Sequence, residues 1–570
     1  MNARRRTLVV GIAVVATLLA ACTGGESDDG PTSAATSTTG TGDSSAPHLQ
    51  IPVLTSSAFV RNFNPYTPGT SMPNRGTIYE PLYVVNKSTG GEEIPWLATG
   101  YTWNDDVTEV TFTLRDGVTW SDGEPFTADD VVYSYELGKD DGAFDLGGFW
   151  SAMGGTAVEK VADNQVKFTF SGPDLSQFPQ FVNSSYIIPK HIWETQADPI
   201  NWTNPDPVGT GPFTVVDTYS TQSFSLLPNE HYWQDVAVTG LDFVQYASQE
   251  AIIQAIKDGK ADWGGVVIPD IESTFVAADP EHLAFNYAAN TSSLMLCVNS
   301  TVAPLDDPEF RKALSQSINR EAISTNAVYG YGIPSSAVGF GSQFPDIDIT
   351  KDDPSLNDVV SYDVDAAKAR LAAAGYETVD GKLRDKSGQP ISILIPVTSS
   401  WSDWVSVAQI IADGFKALGI DAAVDPKPDF AAWYDPLSKG DFQVSECGGG
   451  LFGSPDEYYF SMFASAHVKP VGEAAGGNAF GRWSSPEMDS VLDSLKSETD
   501  EAARAELYTQ MQELFVESLP NIPLYAAPYW QAFSNLHYEG WPTEDNNYST
   551  GLAKGDYNDL LILTSLTPAQ

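Results

Sequence analysis

The segment TEVTFTLRDGVTWSDGEPFTADDV, residues 108–131, decides the fold. Over residues 110–114 apolar and polar side chains alternate, which is typical of a strand with one buried face. An Asp-Gly step and a Ser-Asp-Gly step then predict two turns, with a second short strand at residues 118–120 between them. Thr127 is a suitable N-cap, because acids follow it where the dipole of a helix favours negative charge. The residues alone predict a hairpin that leads into a helix.

The same segment resembles the signature of the family-5 extracellular solute-binding proteins, the receptors of ABC importers for peptides, nickel and oligosaccharides. The matching residues are Leu114, Arg115, Gly117, Trp120, Ser121, Asp122, Gly123, Pro125, Phe126, Thr127, Ala128, Asp130 and Val131. Three other segments are similar to the family: YEPL at 79–82, GTGPF at 209–213 and NEHYW at 229–233. The resemblance therefore covers nearly the whole mature chain.

Composition and charge limit the classes of function. The chain has 570 residues, of which 42% are hydrophobic and 11% aromatic, a globular composition with room for two or three domains. Its formal net charge is −45, whereas binding of nucleic acid needs the opposite balance. An anionic membrane surface would also repel the body of the protein. The acids favour a soluble surface that resists aggregation, and we expect no nucleic-acid partner.

Residues 1–21 have the organisation of a bacterial targeting segment. Three arginines at 4–6 precede an apolar run from residue 8 to residue 21, which is too short to span a bilayer comfortably. The run ends in Leu-Ala-Ala-Cys at Cys22, which is similar to the lipobox of bacterial lipoproteins. We therefore predict a signal peptide over 1–21 and a lipid anchor at Cys22 on the outer face of the cell membrane. An ordinary signal peptide with an incidental cysteine is the alternative.

Residues 22–47 are predicted to be a flexible, lipid-anchored linker. They consist mainly of Gly, Ser, Thr and Asp with almost nothing apolar, so they cannot form a packed core. Beyond the linker, patterns of strands and helices alternate, which indicates an α/β fold with helices on the faces of a sheet. The tail, from IPLYAAPYW at 522–530 to LLILTSL at 560–566, is predicted to return to strands.

The resemblance implies a type II periplasmic-binding-protein fold of the α/β class, with two lobes joined by a hinge and an inserted α+β subdomain in lobe I. Lobe I would consist of residues 48–57, 190–292 and 529–570, the inserted subdomain of 58–189, and lobe II of 293–528. The hinge would lie near residues 290 and 530, and the lobes would close over a ligand between them. We expect a monomer that delivers its ligand to the membrane permease subunits of an ABC importer.

Common catalytic motifs are missing from the sequence. It contains no Gly-x-Ser-x-Gly elbow, no His-Glu-x-x-His and no complete phosphate-binding loop. Cysteine is too rare and histidine too scattered for a structural zinc site, so we expect no metal and no cofactor. A secreted glycoside hydrolase is the enzymatic alternative, because a catalytic pair of carboxylates cannot be recognised among 75 acids. We expect a binding protein and not an enzyme.

One departure from the family pattern bears on the ligand. Peptide-binding members of the family hold the amino terminus of the peptide with an aspartate in a Trp-x-x-Asp-Tyr segment. Alignment on Pro455 puts Leu451 in the place of that aspartate and Phe452 in the place of the tyrosine. Burial of an ammonium group without a carboxylate costs several kcal/mol. An oligosaccharide of the cello, manno or xylo type is therefore the predicted ligand, and an oligopeptide is the alternative.

Aromatic side chains support a sugar ligand, because flat rings suit the apolar faces of pyranoses. For any single tryptophan core packing is the competing interpretation, and for the loop residues it is ordinary loop structure. With Leu451 and Phe452, the predicted ligand-binding residues are Gly69, Thr70, Ser71, Phe149, Trp150, Trp263, Ser292, Trp401, Trp404, Phe430 and Gly449.

Two further cysteines, Cys297 and Cys447, leave an alternative open. A disulfide between them is compatible with an oxidising compartment, and two buried free thiols are equally compatible with the sequence. Only the geometry of the fold decides between these states.

The substitution Cys22→Ser is expected to release the protein from the membrane fraction, because a hydroxyl cannot replace the thiol that carries the lipid. Fractionation of cells followed by immunoblotting measures the distribution of the protein. A variant that stays with the membranes would show that the lipobox interpretation is wrong.

Overall fold

The structure, a computed structural model, describes residues 46–55, 57–67, 73–287, 292–340, 344–448, 452–550 and 556–570. These residues belong to one compact unit, Ala46–Gln570. The predicted signal peptide and nearly all of the linker lie outside the described residues. So do Cys22, Gly69, Thr70, Ser71, Gly449 and Leu451.

The N-terminal part contains the hairpin and helix that the signature predicts. Strands β4, β5, β7 and β6 form an antiparallel sheet in that order, and α1 packs on it. The elements are β1 (Leu49–Leu54), β2 (Tyr83–Asn86), β3 (Glu92–Pro95), β4 (Ala98–Trp103), β5 (Glu109–Leu114), α1 (Ala128–Asp140), β6 (Gly155–Ala162), β7 (Gln165–Phe170), α2 (Phe178–Ser184) and α3 (Lys190–Trp193).

The start of α1 confirms the predicted cap. The Asp130 carboxylate accepts a hydrogen bond from the backbone N–H of Thr127 at 2.8 Å, which ties the first turn to the residue before the helix. The predicted short strand at 118–120 is wrong, since only an isolated bridge joins Thr119 to Pro125. The reason is a tight turn in which the Gly123 N–H donates to the carbonyl of Trp120.

A second sheet lies further along the chain. Strand β1 pairs in parallel with β10, and the order is β1-β10-β9-β8. The elements of this region are β8 (Phe213–Tyr219), β9 (Ser223–Pro228), β10 (Leu241–Tyr246), α4 (Gln249–Lys257), β11 (Trp263–Gly264), α5 (Ile271–Thr274), β12 (Leu283–Asn286) and β13 (Ser292–Val298).

The C-terminal half alternates between helices and strands, as predicted. Its central sheet has the order β14-β20-β13-β19, and β17 pairs in parallel with β18 beside it. The elements are α6 (Pro308–Gln316), α7 (Arg320–Ala322), β14 (Ile333–Pro334), α8 (Val364–Ala373), β15 (Glu377–Val379), β16 (Lys382–Arg384), β17 (Ser392–Thr398), α9 (Ser402–Ala417), β18 (Asp421–Lys427), α10 (Phe430–Lys439), β19 (Val444–Gly448), α11 (Pro455–Phe463), α12 (Pro486–Leu495), α13 (Glu501–Ser518), β20 (Asn521–Ala527), β21 (Gln531–Ser534), β22 (Tyr538–Glu539), α14 (Asn558–Ser565) and β23 (Thr567–Pro568).

Buried apolar residues of the described chain form separate clusters. The largest draws its buried residues from 294–525 alone. A second takes nearly all of its residues from 82–187, and Tyr557 and Leu560 of the tail complete it. The tail therefore returns to the N-terminal part of the molecule, while the C-terminal half has a core of its own.

The strand predicted at 560–566 is wrong, because all of these residues except Leu566 belong to helix α14. Leu560 is buried in the cluster with 82–187, whereas Ile562, Leu563 and Leu566 are buried in a third cluster that includes strand β1. A helix between two cores is apolar on opposite sides, so the helical period disappears from its sequence. A short apolar run does not then distinguish a helix from a buried strand.

Cys297 and Cys447 form a disulfide, which settles the alternative that the sequence left open. Cys297 lies on β13 and Cys447 on β19, two strands that pair in the central sheet. The bond joins residues 150 positions apart in the chain.

The segments that resemble the family meet at one buried carboxylate. Glu80 of the YEPL segment is 0% exposed. It accepts hydrogen bonds from Trp96 Nε1 at 2.5 Å, from the Tyr232 hydroxyl at 3.0 Å and from Trp233 Nε1 at 3.2 Å. Burial raises the pKa of Glu80 to about 7, although these donors oppose the shift.

The signature packs against two of the residues that donate to this carboxylate. Arg115 donates from Nε to the Trp96 carbonyl at 2.7 Å, and its guanidinium lies 4.1 Å from the ring centre of Trp233. In the GTGPF turn, a Cβ on Gly209 would lie 1.9 Å from the carbonyl oxygen of Ile78, so only glycine fits this close approach. These contacts give the family-like residues a structural role.

The substitution Glu80→Ala is expected to lower the free energy of unfolding by roughly 3–5 kcal/mol, because three donors lose their buried acceptor. Denaturant titration at pH 7 measures this loss. A loss below about 1 kcal/mol, the net value of one ordinary hydrogen bond, would contradict the role given to Glu80.

Glu80→Gln serves as a control that does not titrate. The folded protein holds the Glu80 proton more tightly than the unfolded chain, so protonation stabilises the fold. This stabilisation is full below pH 4.5 and disappears as the pH rises to about 7. Relative to the variant, the wild type should lose about 3 kcal/mol across that window.

Candidate functional site

Strands β17, β18 and β19 end at the same edge of the C-terminal sheet. The Gln443 side chain contacts the backbones of Ser392 and Leu394, and the Ser445 hydroxyl donates to the Pro396 carbonyl at 3.4 Å. The contacts advance along both strands together, so β19 runs in the same direction as β17 and β18. Ligands of open α/β sheets bind outside the carboxyl ends of parallel strands, which makes this edge the first candidate site.

Five aromatic side chains gather where the chain leaves these strands. They are Trp401, Trp404, Phe430, Trp433 and Tyr434, and together we call them the aromatic face. Ring centres lie 5.0 Å apart for Trp401 and Trp404, and 5.6 Å apart for Trp404 and Trp433. Phe430 stacks on Tyr434 at 5.1 Å and 14°. The contacts hold the rings in one continuous group.

The aromatic face is anchored on one side and open on the other. Trp433 is 6% exposed and donates from Nε1 to the Ser445 hydroxyl at 3.1 Å. Phe430 is 50% exposed and Tyr434 39% exposed. Trp401 and Trp404 are half-buried. Flat apolar rings are therefore presented on a rigid base, an arrangement suited to stacking on a ligand.

The structure brings together three predicted ligand-binding residues, Trp401, Trp404 and Phe430, in this face. It adds Trp433 and Tyr434, which the sequence analysis missed. Their spacing of three and four positions from Phe430 was an available signal, because such residues share one side of a helix.

A pair of acids lies beside the aromatic face. Asp403 is half-buried at the start of α9, between Trp401 and Trp404 in sequence. Glu446 on β19 is 0% exposed, and neither of its carboxylate oxygens has a hydrogen-bond partner. Burial, and then the charge of Asp403, raise the pKa of Glu446 well above its ordinary value. The Ala408 N–H opposes the shift, although its geometry falls short of a hydrogen bond.

A cavity of about 620 Å³ lies between the N-terminal sheet and the C-terminal half. Tyr101, Trp103 and Phe178 line one side, with the centre of the Phe178 ring 4.8 Å from that of Tyr101. On the other side Arg504 pairs with Asp456 at 3.1 Å. The cavity thus combines aromatic and charged walls, as ligand pockets commonly do.

The cavity and the sheet edge are connected by the chain itself. Gly453 lines the cavity and comes five residues after Gly448, where β19 ends. Five extended residues span roughly 18 Å, so the two regions lie within that distance. The predicted ligand-binding segment, which includes Phe452, runs between them.

The two sides of the molecule touch at Gly453. A Cβ on Gly91 would lie 1.8 Å from the Gly453 carbonyl oxygen, so the backbones are in direct contact. The Gly453 N–H donates to the Glu457 carboxylate at 2.7 Å. Burial raises the pKa of Glu457 to about 7, and the charge of Lys87 opposes this. This close backbone contact, with Glu457 beside it, therefore lies at the wall of the cavity.

Other predicted ligand-binding residues serve in the core. Phe149 is 0% exposed and Trp263 2% exposed, and Trp263 donates from Nε1 to Gln531 at 2.6 Å. Phe452 is 7% exposed and packs against Tyr458. Buried rings have no surface to offer a ligand in this conformation, so the proposed ligand face does not include these three. Their sequence positions matched the family, but position does not reveal the direction of a side chain.

Trp150 and Ser292, two other predicted ligand-binding residues, are held by contacts elsewhere in the fold. Trp150 is half-buried and donates from Nε1 to the Tyr135 carbonyl at 2.6 Å, which fixes it to α1. Ser292 begins β13 and pairs with Ala527. Neither lies in the aromatic face.

The described residues contain no group of three His, Cys, Asp or Glu side chains that could hold a metal ion. Within the same part of the chain, no helix combines the length and apolar character needed to cross a membrane.

Comparison with known proteins identifies relatives of similar length. The oligopeptide-binding protein OppA of Bacillus subtilis is 24% identical over 463 residues, which cover 76% of this chain and 80% of that protein. The crystal structure of a periplasmic oligopeptide-binding protein of an ABC transporter from Thermotoga maritima is 25% identical. It covers 91% of this chain and 99% of its own, with a TM-score of 0.81.

The mannohexaose-bound form of the Thermotoga maritima protein gives a TM-score of 0.77, with 91% of this chain and 98% of that chain covered at 25% identity. These neighbours confirm the predicted type II periplasmic-binding-protein fold. Residues 92–469 match the family described as bacterial extracellular solute-binding proteins, family 5 Middle. Because this match covers more than half of the chain, the protein belongs to the family-5 extracellular solute-binding proteins, which serve ABC importers.

Proposed function

We propose that this solute-binding protein captures an oligosaccharide of the cello, manno or xylo type. The aromatic face carries the proposal, because its exposed rings at the carboxyl edge of the sheet match the apolar faces of pyranoses. Polar groups nearby, among them Asp403, suit hydrogen bonds to sugar hydroxyls. The structural neighbour with bound mannohexaose supports the same chemistry in a related fold.

As a member of family 5, the protein acts outside the cytoplasm and delivers its solute to an ABC permease. In our proposal it works as a monomer without catalytic activity, anchored by lipid at Cys22. Lobe I consists of residues 48–57, 190–292 and 529–570 with the inserted subdomain 58–189, and lobe II of residues 293–528. Closure favours the bound state through contacts that exist only when the lobes are together.

An oligopeptide is the second candidate ligand, and one observation favours it. Relatives such as OppA of Bacillus subtilis are named for oligopeptide binding. Against it stands Leu451, which replaces the aspartate that the resemblance associates with the peptide amino terminus. The ligand class therefore has to be tested by binding.

A thermal-shift screen should separate the two classes. Cello-, manno- and xylo-oligosaccharides are expected to raise the melting temperature, and di- and tripeptides are not. At a concentration one hundred times Kd, binding to the folded state alone adds about 2.7 kcal/mol to the free energy of unfolding. Stabilisation by peptides and by none of the sugars would replace the proposal with the peptide alternative.

The same oligosaccharides also test the enzymatic alternative. After prolonged incubation with the protein, chromatography should recover each sugar uncleaved. Turnover that scales with protein concentration would instead indicate a glycoside hydrolase.

The substitution Phe430→Ala is expected to weaken binding of the responding oligosaccharide roughly two- to tenfold. This range corresponds to the loss of about 0.5–1.5 kcal/mol from one aromatic contact. Isothermal titration calorimetry measures the change in Kd.

Tyr362→Ala is the matched control, because Tyr362 is 54% exposed and lies outside the aromatic face. It should leave Kd unchanged. Equal affinity of the wild type and Phe430→Ala would remove Phe430 from the ligand-binding surface.

A further inference from the structure

We propose that Gly453 is a positioning residue for ligand capture: without a side chain there, the inserted subdomain 58–189 docks directly on the predicted ligand-binding segment. A side chain at this position would hold the two sides apart. The inference rests on the proposed function, because it concerns the closure that retains the ligand. It gives the subdomain that carries the family signature a part in capture.

The subdomain and the C-terminal half are separate bodies at their boundary. One cluster of buried apolar residues comes from 294–525 alone, and another takes nearly all of its residues from 82–187. The two clusters share no residue. A cavity of about 620 Å³ lies between them and is lined from both sides. Bodies that meet without a common core can move apart while each core stays packed.

The two sides meet most closely at Gly453. A Cβ on Gly453 would lie 2.7 Å from the Pro179 Cβ and 3.0 Å from Val85 Cγ1, both of the subdomain. A Cβ on Gly91, also of the subdomain, would lie 1.8 Å from the Gly453 carbonyl oxygen. We call these four residues the closing contact. Non-bonded carbon atoms prefer a separation of about 3.5–4.0 Å, so a side chain at residue 453 does not fit.

The subdomain side of the closing contact is rigid. Pro179 is the second residue of α2, and its ring cannot turn away. Val85 is 1% exposed on β2, and its branched side chain is stiff. On the other side, the nearest atom to the added Cβ is Oε2 of Glu457, at 3.3 Å on a flexible side chain. An added Cβ therefore overlaps with the subdomain in the closed form and is tolerated when the two sides separate.

The backbone of Gly453 does not itself require glycine. Its φ angle lies outside the left-handed region, which other residues avoid. Gly91 differs, because its φ of 91° makes any side chain strained whether the sides are together or apart. A substitution at Gly453 therefore tests the contact across the boundary, whereas one at Gly91 also tests local strain.

The closing contact joins the subdomain to the place where the ligand is predicted to bind. Gly453 directly follows Phe452 and belongs to the segment that leads away from β19. The carbonyl of Gly453 is the surface on which Gly91 rests. A ligand that fixes this segment therefore also fixes the seat of the subdomain, which couples binding to closure.

The substitution Gly453→Ala tests the inference by isothermal titration calorimetry, with mannohexaose, cellohexaose, xylohexaose and trialanine as probes. The variant should bind the probe that the wild type binds roughly tenfold more weakly, because only the closed form carries the overlap. Gly100→Ala is the matched control, since a Cβ on Gly100 would meet no atom within 4 Å. This control should bind as tightly as the wild type.

Hydrogen exchange measures closure directly, with or without a probe. The Leu175 N–H of the subdomain donates to the Lys496 carbonyl of the C-terminal half at 2.9 Å, and separation of the sides breaks this bond. Mass spectrometry of the peptide that contains Leu175 should show faster exchange in Gly453→Ala than in the wild type. The melting temperature without a probe should stay close to that of the wild type. Equal exchange in the two proteins would overturn the inference.

A change on the opposite side should repair the defect. Pro179→Gly removes the Cβ that lies 2.7 Å from the added one. The double variant should bind the probe within roughly threefold of Pro179→Gly alone and recover slow exchange at Leu175. A lost ligand contact or local misfolding at residue 453 cannot be repaired from the subdomain. Absence of any recovery would therefore overturn the inference.

Failure of the closing contact can be distinguished from failure of the proposed function. Sugars that bind the wild type and Gly453→Ala equally tightly would support the function and overturn the closing contact. Weaker binding of trialanine by Gly453→Ala, repaired by Pro179→Gly, would support the closing contact, and without sugar binding it would overturn the oligosaccharide proposal. If none of the probes binds, the exchange at Leu175 in the three variants still decides for or against the closing contact.

Discussion

Three donors from two segments more than 130 residues apart converge on the buried carboxylate of Glu80, and the N-terminal part of the molecule depends on this convergence. Trp96 precedes the signature hairpin, while Tyr232 and Trp233 belong to a different sheet region. Arg115 of the signature completes the junction by stacking on Trp233. A carboxyl group so deeply buried depends on its hydrogen-bond partners, so the separate segments stabilise one another. This dependence explains why a run of residues with a structural role can identify the scaffold.

The edge of the C-terminal sheet, where we propose that the ligand binds, differs from the Glu80 junction in exposure and in hydrogen bonding. The Glu80 junction satisfies its donors and acceptors, whereas the edge of the C-terminal sheet leaves surface and polar capacity unused. Phe430 and Tyr434 keep much of their ring area exposed, and Glu446 keeps both oxygens unpaired. Such features lower the stability of the isolated protein, and departures of this kind are expected at functional sites. The family-like residues of the scaffold and the proposed binding surface thus lie in different parts of the chain. Similarity of the scaffold residues to the family therefore does not identify the ligand.

Local chemistry made some parts of the structure predictable. The cap at Thr127 and the buried face of β5 follow from a few adjacent residues, so their patterns survive in the sequence. Helix α14 was mistaken for a strand because two cores bury it from opposite sides. Phe149 and Trp263 matched the family by position, but the direction of a side chain depends on distant packing. The buried, unpaired state of Glu446 could not be predicted, since both burial and hydrogen bonding depend on residues distant in the sequence.

The disulfide between Cys297 and Cys447 has a consequence for how the receptor moves. It joins β19, which leads to the predicted ligand-binding segment, to β13, which starts beside the predicted crossing between the lobes. Neighbouring strands joined in this way cannot slide past each other. A rotation that began at the predicted crossing would therefore move β13 and β19 together as one unit. The edge of the sheet at Gly448 would thus keep its position relative to β13 during such a motion.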